Sequence, residues 1–268
     1  MILFPNAKIN IGLQITERRP DGFHNLESCF YPVPLNDLLE IIPASKTSFE
    51  ISGADIPGDA ATNLCLRAYE CLKADFELPP IQMYLHKLIP IGAGLGGGSA
   101  DAAFTLRLLN EQFNLALPIG QLETYARQLG SDCAFFIQNR PLYCFEKGDR
   151  FQDIDVSLRG YTIVLVYPNL AISTAEAYAN VRPRKPASSL RTLLMTPVEN
   201  WRNTIRNDFE TSLFSIYPIL NTVKQELYQA GAVYASMSGS GSTIYGIFEQ
   251  AVSLPEYFHS YQVWQKTI

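Results

Sequence analysis

The stretch PIGAGLGGGSADAA, residues 90–103, holds five glycines (Gly92, Gly94, Gly96, Gly97 and Gly98) within seven positions and then runs into helix-forming sequence. Glycine admits positive φ and lets another group come close to the main chain, at an entropic cost on folding. Exposed N–H groups on such a loop, leading into the positive end of a helix, form a cradle for an anion such as phosphate. Other residues able to do chemistry are dispersed: Lys8 and Asn10 in AKINIGL, Phe23 and His24 behind a Pro-Asp-Gly turn, and Asp132 just after Gly130. A second short glycine loop follows at Gly239-Ser240-Gly241. Phosphoryl transfer to an alcohol needs a phosphate cradle, positive charge near the developing charge, and a group to orient or deprotonate the hydroxyl. The chain has residue types for all three.

Commoner readings of the glycine loop fail on context. Gly92, Gly94 and Gly97 satisfy G-x-G-x-x-G, but a dinucleotide fold needs an acidic residue at the end of a second strand about twenty positions on, and Glu111 falls inside a predicted helix. A Walker A loop ends in Lys-Ser/Thr, where this chain has Ser99-Ala100-Asp101, and the protein-kinase H-R-D and D-F-G motifs are absent. Residue types alone leave several alternatives open. Asp132 is either a helix N-cap or a reactive carboxylate in an apolar neighbourhood of Cys133, Phe135 and Phe136, where an unpaired charge is costly. Lys8 and Lys87 are either site cations or solvated charges, and the second glycine loop is either a phosphate contact or an ordinary hairpin turn. Asp101 reads as favourable charge at a helix start.

The elements that must position these residues follow from periodicity. Residues 8–15 alternate strictly, with Ile9, Ile11, Leu13 and Ile15 on one face and Lys8, Asn10, Gly12 and Gln14 on the other, which predicts a half-buried strand. The turn in RRPDGFHNLES returns the chain as a second strand over 23–33. Short strands are predicted over 38–42, 47–51 and 81–88, and helices over 63–74, 99–112 and 119–129, the last ending on Gly130. SDCAFFI reads as a short buried helix, YTIVLVY as a strand, 198–206 and 218–229 as helices, and AVYASM and TIYGIF as a hairpin. The order suggests two α+β layers meeting near residues 150–160.

At 268 residues and 47% hydrophobic, the chain can bury one large core or two modest ones. A net charge of −5 argues against a nucleic-acid surface. No apolar run approaches the roughly 20 residues of a membrane span, and MILFPNAK reaches a proline and a lysine too early for a signal peptide. A cytoplasmic location is expected. Five scattered cysteines without a C-x-x-C pair read as small buried hydrophobes in a reducing compartment.

PIGAGLGGGSADAA resembles the P-x-x-x-G-L-G-x-S-[SG]-A-A signature of the GHMP family of small-molecule kinases. AKINIGL and MSGSGSTIYGIF match two further family elements in the expected order, and LGSDCAFFI, ISTAEAY and NDFE are similar to family segments. The resemblance implies an α+β fold, with a ribosomal S5 domain 2-like ATP-binding domain over residues 1–155 and a ferredoxin-like domain over 156–268. It implies ATP as donor with Mg2+, whose protein ligands it leaves open. ATP would be held by Asn63, Lys87, Pro90, Ile91, Gly92, Ala93, Gly94, Leu95, Gly96, Gly97, Gly98, Ser99 and Ala100. Asp132 would be the catalytic carboxylate and Lys8 the catalytic cation paired with it. The D-G-F-H turn further implies an acceptor alcohol carrying a cytidine diphosphate. His24 would bond the cytosine edge, Phe23 and Tyr178 would stack on its faces, Thr174 and Asn10 would lie nearby, and Gly239, Ser240 and Gly241 would approach the diphosphate. The family more often has Tyr at position 23; stacking tolerates Phe, and a phenol hydrogen bond is lost. Small molecules are the expected partners of a monomer or homodimer, without nucleic acid or membrane.

Overall fold

The computed structural model describes residues 1–54 and 62–268. Along them run β1 (Ile2–Leu3), β2 (Asn6–Arg18), β3 (His24–Asn36), β4 (Leu38–Pro43), β5 (Ser48–Gly53), α1 (Leu64–Asp75), β6 (Ile81–Lys87), α2 (Gly97–Gln112), α3 (Ile119–Leu129) and α4 (Cys133–Gln138). There follow β7 (Leu142–Phe145), β8 (Arg150–Asp153), β9 (Thr162–Tyr167), α5 (Thr174–Ala179), α6 (Leu190–Leu194), α7 (Trp201–Thr204), α8 (Phe209–Ile216), α9 (Pro218–Gln229), β10 (Tyr234–Met237), β11 (Ile244–Phe248) and β12 (Gln262–Thr267). Two compact units alternate along the chain: Met1–Ala7, Pro34–Ile91 and Gly96–Arg140 form the first, and Lys8–Val33, Gly92–Leu95 and Pro141–Ile268 the second.

The first unit has a sheet ordered β1-β4-β6-β5, antiparallel except for the parallel β5/β6 pair. Helix α2 packs against α1, α4 and β4. Its Ala100, Ala102, Ala103, Leu106 and Leu109 are fully buried. Under the start of α2 lies a buried charge cluster. The Lys87 ammonium, at the end of β6, donates to Asp37 and to Asp101 Oδ2 (2.7 Å), while Asp37 Oδ1 also accepts from Leu88 N (2.6 Å) and Ile89 N (2.8 Å). The solvated strand-end reading of Lys87 does not hold, since its side chain is almost fully buried, and Asp101, read as favourable charge at a helix start, is equally buried and paired with Lys87 beyond the helix's first turn. Burial, opposed by Lys87 and reinforced by Asp37, pushes the Asp101 carboxyl up to about 7.

The second unit contains sheets ordered β2-β3-β7-β8 and β10-β11-β9-β12, the latter antiparallel throughout, with α9 against β10 and β11. Strand β2 departs from the half-buried expectation: every residue from Asn6 to Leu13 is buried, polar ones included. Its polar side chains satisfy one another rather than solvent, as buried polar groups must. Lys8 Nζ donates to Asn10 Oδ1 (2.5 Å), Asn10 Nδ2 to Ser28 Oγ (3.0 Å), and Ser28 Oγ to Gly12 O (2.7 Å).

Other differences have local causes. The helix expected over 198–206 is a 3-10 turn, Val198–Asn200, followed by the short α7, where the buried Trp201 donates its indole N–H back to Thr196 O at 2.9 Å. Gly130 closes α3 in extended backbone, not the left-handed form, though its N–H still reaches Ala126 O. Strands β8 and β12 were not legible because most of their residues are exposed, leaving no apolar alternation to read.

Lys87→Met leaves two buried carboxylates facing each other, a change that costs about 3–5 kcal/mol. Urea denaturation at pH 8 is expected to show a midpoint lowered accordingly, whereas a loss under 1 kcal/mol would mean the cluster contributes little.

Candidate active site

Helix α2 starts bare. Gly96 holds the N-cap position in the left-handed region (φ 72°), no side chain caps the helix, and no acidic residue occupies its first turn. The first intrahelical bond runs from Ala100 N to Gly96 O (2.9 Å), so the N–H groups of Gly97, Gly98 and Ser99 have no partner within the helix. A Cβ on Gly98 would meet nothing within 4 Å, and its φ is not positive. Neither backbone nor neighbours require glycine there; its smallness leaves the helix start open, and a phosphate fits that combination of amides, dipole and room.

Asp132 sits at the N-cap of α4, but its carboxylate makes no capping hydrogen bond, so the N-cap reading does not account for it. Next to it, burial pushes the Cys133 thiol up to about 12, a hydrogen bond with Ser99 opposes that shift, and the Asp132 charge adds to it. Ser99, at the start of α2, and Asp132, the chain neighbour of Cys133, thus both act on the Cys133 thiol within the first unit. Asn63 spends its Oδ1 capping α1 through Cys65 N (2.9 Å). Pro90 and Ile91, both half-buried, lead from the Lys87 cluster into the loop.

In the second unit, the two glycine loops meet main chain to main chain. Gly94 has φ 77°, and a Cβ there would fall 2.0 Å from Ser238 O. Ser238 Oγ donates to Gly94 O (2.8 Å) and Thr243 N to Ala93 O (3.2 Å), while Lys8 N donates to Leu95 O (2.9 Å). Lys8 Nζ lies 3.4 Å from Gly94 O and 4.8 Å from the centre of the Phe30 ring, and Asn10 N donates to Ser238 Oγ. Gly239 and Gly241 both take positive φ, so this connection is built for close approach, beyond what an ordinary turn needs. Lys8 is 3% exposed, which removes its reading as a surface charge. It belongs to the second unit, and Asp132 to the first.

The turn behind β2 is tied by Asp21 Oδ1 accepting from Phe23 N (3.1 Å) and by Arg19 N donating to Phe23 O (2.8 Å). Phe23 is exposed with Lys147 over its ring, while His24 stacks on Tyr178 with centroids 4.9 Å apart and planes at 25°. The rings are therefore arranged as His24 on Tyr178, not as two aromatics holding an open slot. Burial and the charge of Arg18 hold His24 below the usual imidazole value. Thr174 is exposed on the first turn of α5, one residue beyond the N-cap Ser173. Sequence reasoning missed Asp37, Ser238 and Asn207. The first two are placed by tertiary contacts alone; Asn207 stood in the NDFE segment.

Among the described residues, no group of three or more His, Cys, Asp or Glu could hold a metal, and no helix is long and apolar enough to cross a membrane. Models for the GHMP kinases' N-terminal and C-terminal domains match residues 63–140 and 194–257. The chain belongs to the GHMP kinases. It is similar to proteins named 4-diphosphocytidyl-2-C-methyl-D-erythritol kinase: the one from Bacteroides fragilis is 54% identical over 252 residues, 92% of each chain. The one from Cytophaga hutchinsonii is 51% identical over 260 residues, 97% of this chain and 95% of that protein. A crystal structure of 4-(cytidine 5'-diphospho)-2C-methyl-D-erythritol kinase matches the fold with a TM-score of 0.83 at 28% identity, over 99% of this chain and 98% of that one. Homoserine kinase from Cytophaga hutchinsonii, with a TM-score of 0.70 at 15% identity over 98% of this chain and 94% of that one, shares the fold.

Gly98→Ala separates packing from ligand approach. Thermal denaturation is expected to be unchanged or shifted upward, since alanine removes unfolded-chain freedom worth about 0.4–1 kcal/mol, while KM for ATP rises at least tenfold. An unaltered KM would show that nothing approaches the helix start at Gly98.

Proposed function

We infer that the chain is a kinase transferring the γ-phosphoryl group of ATP to the 2-hydroxyl of 4-diphosphocytidyl-2-C-methyl-D-erythritol, in the non-mevalonate route to isoprenoid precursors. The observation that carries the chemistry is the uncapped start of α2, with its exposed glycine and unpartnered amides. The relatives named for this kinase, at 54% and 51% identity across more than nine-tenths of the chain, carry the substrate. Likeness to homoserine and mevalonate kinases at 13–15% identity speaks only to the fold.

In this reading the Gly97, Gly98 and Ser99 amides bind donor phosphate, and Asp132 takes or orients the hydroxyl proton. Lys8, held in place by Asn10 and Gly94 O, stabilises the transferred charge. Transfer is direct, with no covalent enzyme intermediate. Mg2+ is proposed to accompany ATP and to neutralise phosphate charge. Such ions are often held by one or two protein oxygens plus phosphates, and the Ser99 hydroxyl is the group at the helix start suited to it. Asn10, Phe23, His24, Thr174, Tyr178 and the Gly239-Ser240-Gly241 loop are assigned to the acceptor, with a neutral His24 offering one donor and one acceptor to the cytosine edge. The same reading places the protein in the cytoplasm, as monomer or homodimer.

Asp132→Ala is expected to retain ATP binding by calorimetry while kcat falls at least about a hundredfold, the scale of a lost general base; near-normal kcat removes Asp132 from the chemistry. For His24, KM for the cytidylylated substrate should stay level from pH 8 down to about 6.5, the ordinary imidazole value. It should climb only below that, because burial and Arg18 delay protonation. A rise starting above pH 7, or one equally present in His24→Ala, argues against a recognition role.

A further inference from the structure

The segment Asn207-Asp208-Phe209-Glu210 touches Gly239 and Tyr178, both assigned above to the acceptor, and the strands β2 and β10 that lead to them. Asn207 is 1% exposed, and its Nδ2 donates to both Met237 O and Gly239 O at 2.8 Å, while its Oδ1 accepts from Phe209 N at 3.0 Å. Both amide protons are committed to main-chain carbonyls, one at the end of β10 and one in the second glycine loop. Asp208 Oδ2 accepts from Ile15 N (2.8 Å), and the backbone pairs alongside, Leu13 N to Arg206 O (3.0 Å) and Asp208 N to Leu13 O (2.8 Å). These bonds fix β2 just before its turn to Phe23 and His24. Phe209 presents its ring edge-on to Tyr178 at 4.9 Å, and Tyr178 in turn stacks on His24. Glu210 Oε1 accepts from Ser236 Oγ (2.9 Å) and Met237 N (2.8 Å), with Lys224 on its other oxygen at 2.6 Å.

Four consecutive side chains thus reach three parts of the second unit: the end of β10 with the second glycine loop, β2, and the Tyr178–His24 stack. A helix cap would need one of them. Asn207 Oδ1 supplies that cap at the start of α8 through Phe209 N, while Asp208 makes no capping bond, so capping leaves both Asn207 donors and the other three side chains unaccounted for. We propose that Asn207, Phe209 and Glu210 are positioning residues for the acceptor site: Asn207 and Glu210 set the second glycine loop, and Phe209 backs the Tyr178–His24 stack. This rests on the acceptor assignment made above.

The test uses the whole protein and four variants, Asn207→Leu, Phe209→Leu, Glu210→Ala and Glu210→Gln. Phe209→Leu is expected to raise KM for 4-diphosphocytidyl-2-C-methyl-D-erythritol at least tenfold, with kcat and KM for ATP within twofold of the parent. Asn207→Leu, which keeps shape and removes both donors, should lower kcat/KM for that substrate at least a hundredfold. It should also speed amide exchange at residues 239–241 at least tenfold, while amides of α2 keep their protection. Glu210→Gln retains the acceptor oxygen and should restore most of what Glu210→Ala loses. Equal changes in both KM values, or losses that track only the thermal midpoint, overturn the proposal. If the parent does not turn over the cytidylylated substrate, the acceptor assignment fails; faster exchange confined to residues 239–241 then still supports the clamp, and unchanged exchange overturns it.

Discussion

Main chain against main chain at Gly94 and Ser238 is the contact on which much of the second unit depends. A side chain at Gly94 would stand 2.0 Å from Ser238 O, in a backbone conformation that L-residues rarely take. With glycine there, the two loops lock through Ser238 Oγ to Gly94 O and Thr243 N to Ala93 O. Lys8 and Asn10 can then be buried, because the loop carbonyl and the neighbouring serines satisfy them. An ammonium 3% exposed is sustainable only with such partners.

The first unit solves a related problem with charge. Lys87 lies under the start of α2, its Nζ 3.2 Å from where a Cβ on Gly97 would be. Alone, it would be an expensive buried cation; between Asp37 and Asp101 it becomes a strut joining β6, the residues before the glycine loop, and the N-terminal part of the helix. Small side chains above and paired charges below leave the helix start rigid and bare, as an anion cradle requires. That Gly94 serves packing and Gly98 leaves room for a ligand explains why the run is longer than either task alone needs.

Periodicity recovered the strands and helices whose one face is apolar: β2, β4, β6, α1, α3, α9 and the β10/β11 hairpin stand where alternation or i, i+4 spacing put them. It failed for β2's polar face, since strict alternation reads the same whether the polar side meets water or a ring of hydrogen-bond partners. It missed β8 and β12, which pair through their backbones while their side chains stay exposed. The chemistry of the first glycine loop was legible from residue type, because few uses of five glycines before a helix compete with phosphate binding. Tyr178 against His24 was not, because two rings far apart in sequence stack only when α5 and the turn before β3 are brought together.

What the sequence determined by itself is the inventory and the family: a glycine loop feeding a helix, a lysine strand, a D-G-F-H turn, an aspartate after a helix-ending glycine, and relatives sharing half of the residues. These are local or pairwise-comparable properties. Only the tertiary structure decided which glycine serves packing and which leaves space, that Lys87 faces two carboxylates, and that Asn207 holds the second loop by two carbonyls. Burial and hydrogen-bond satisfaction depend on partners distant along the chain, and no run of neighbouring residues encodes them.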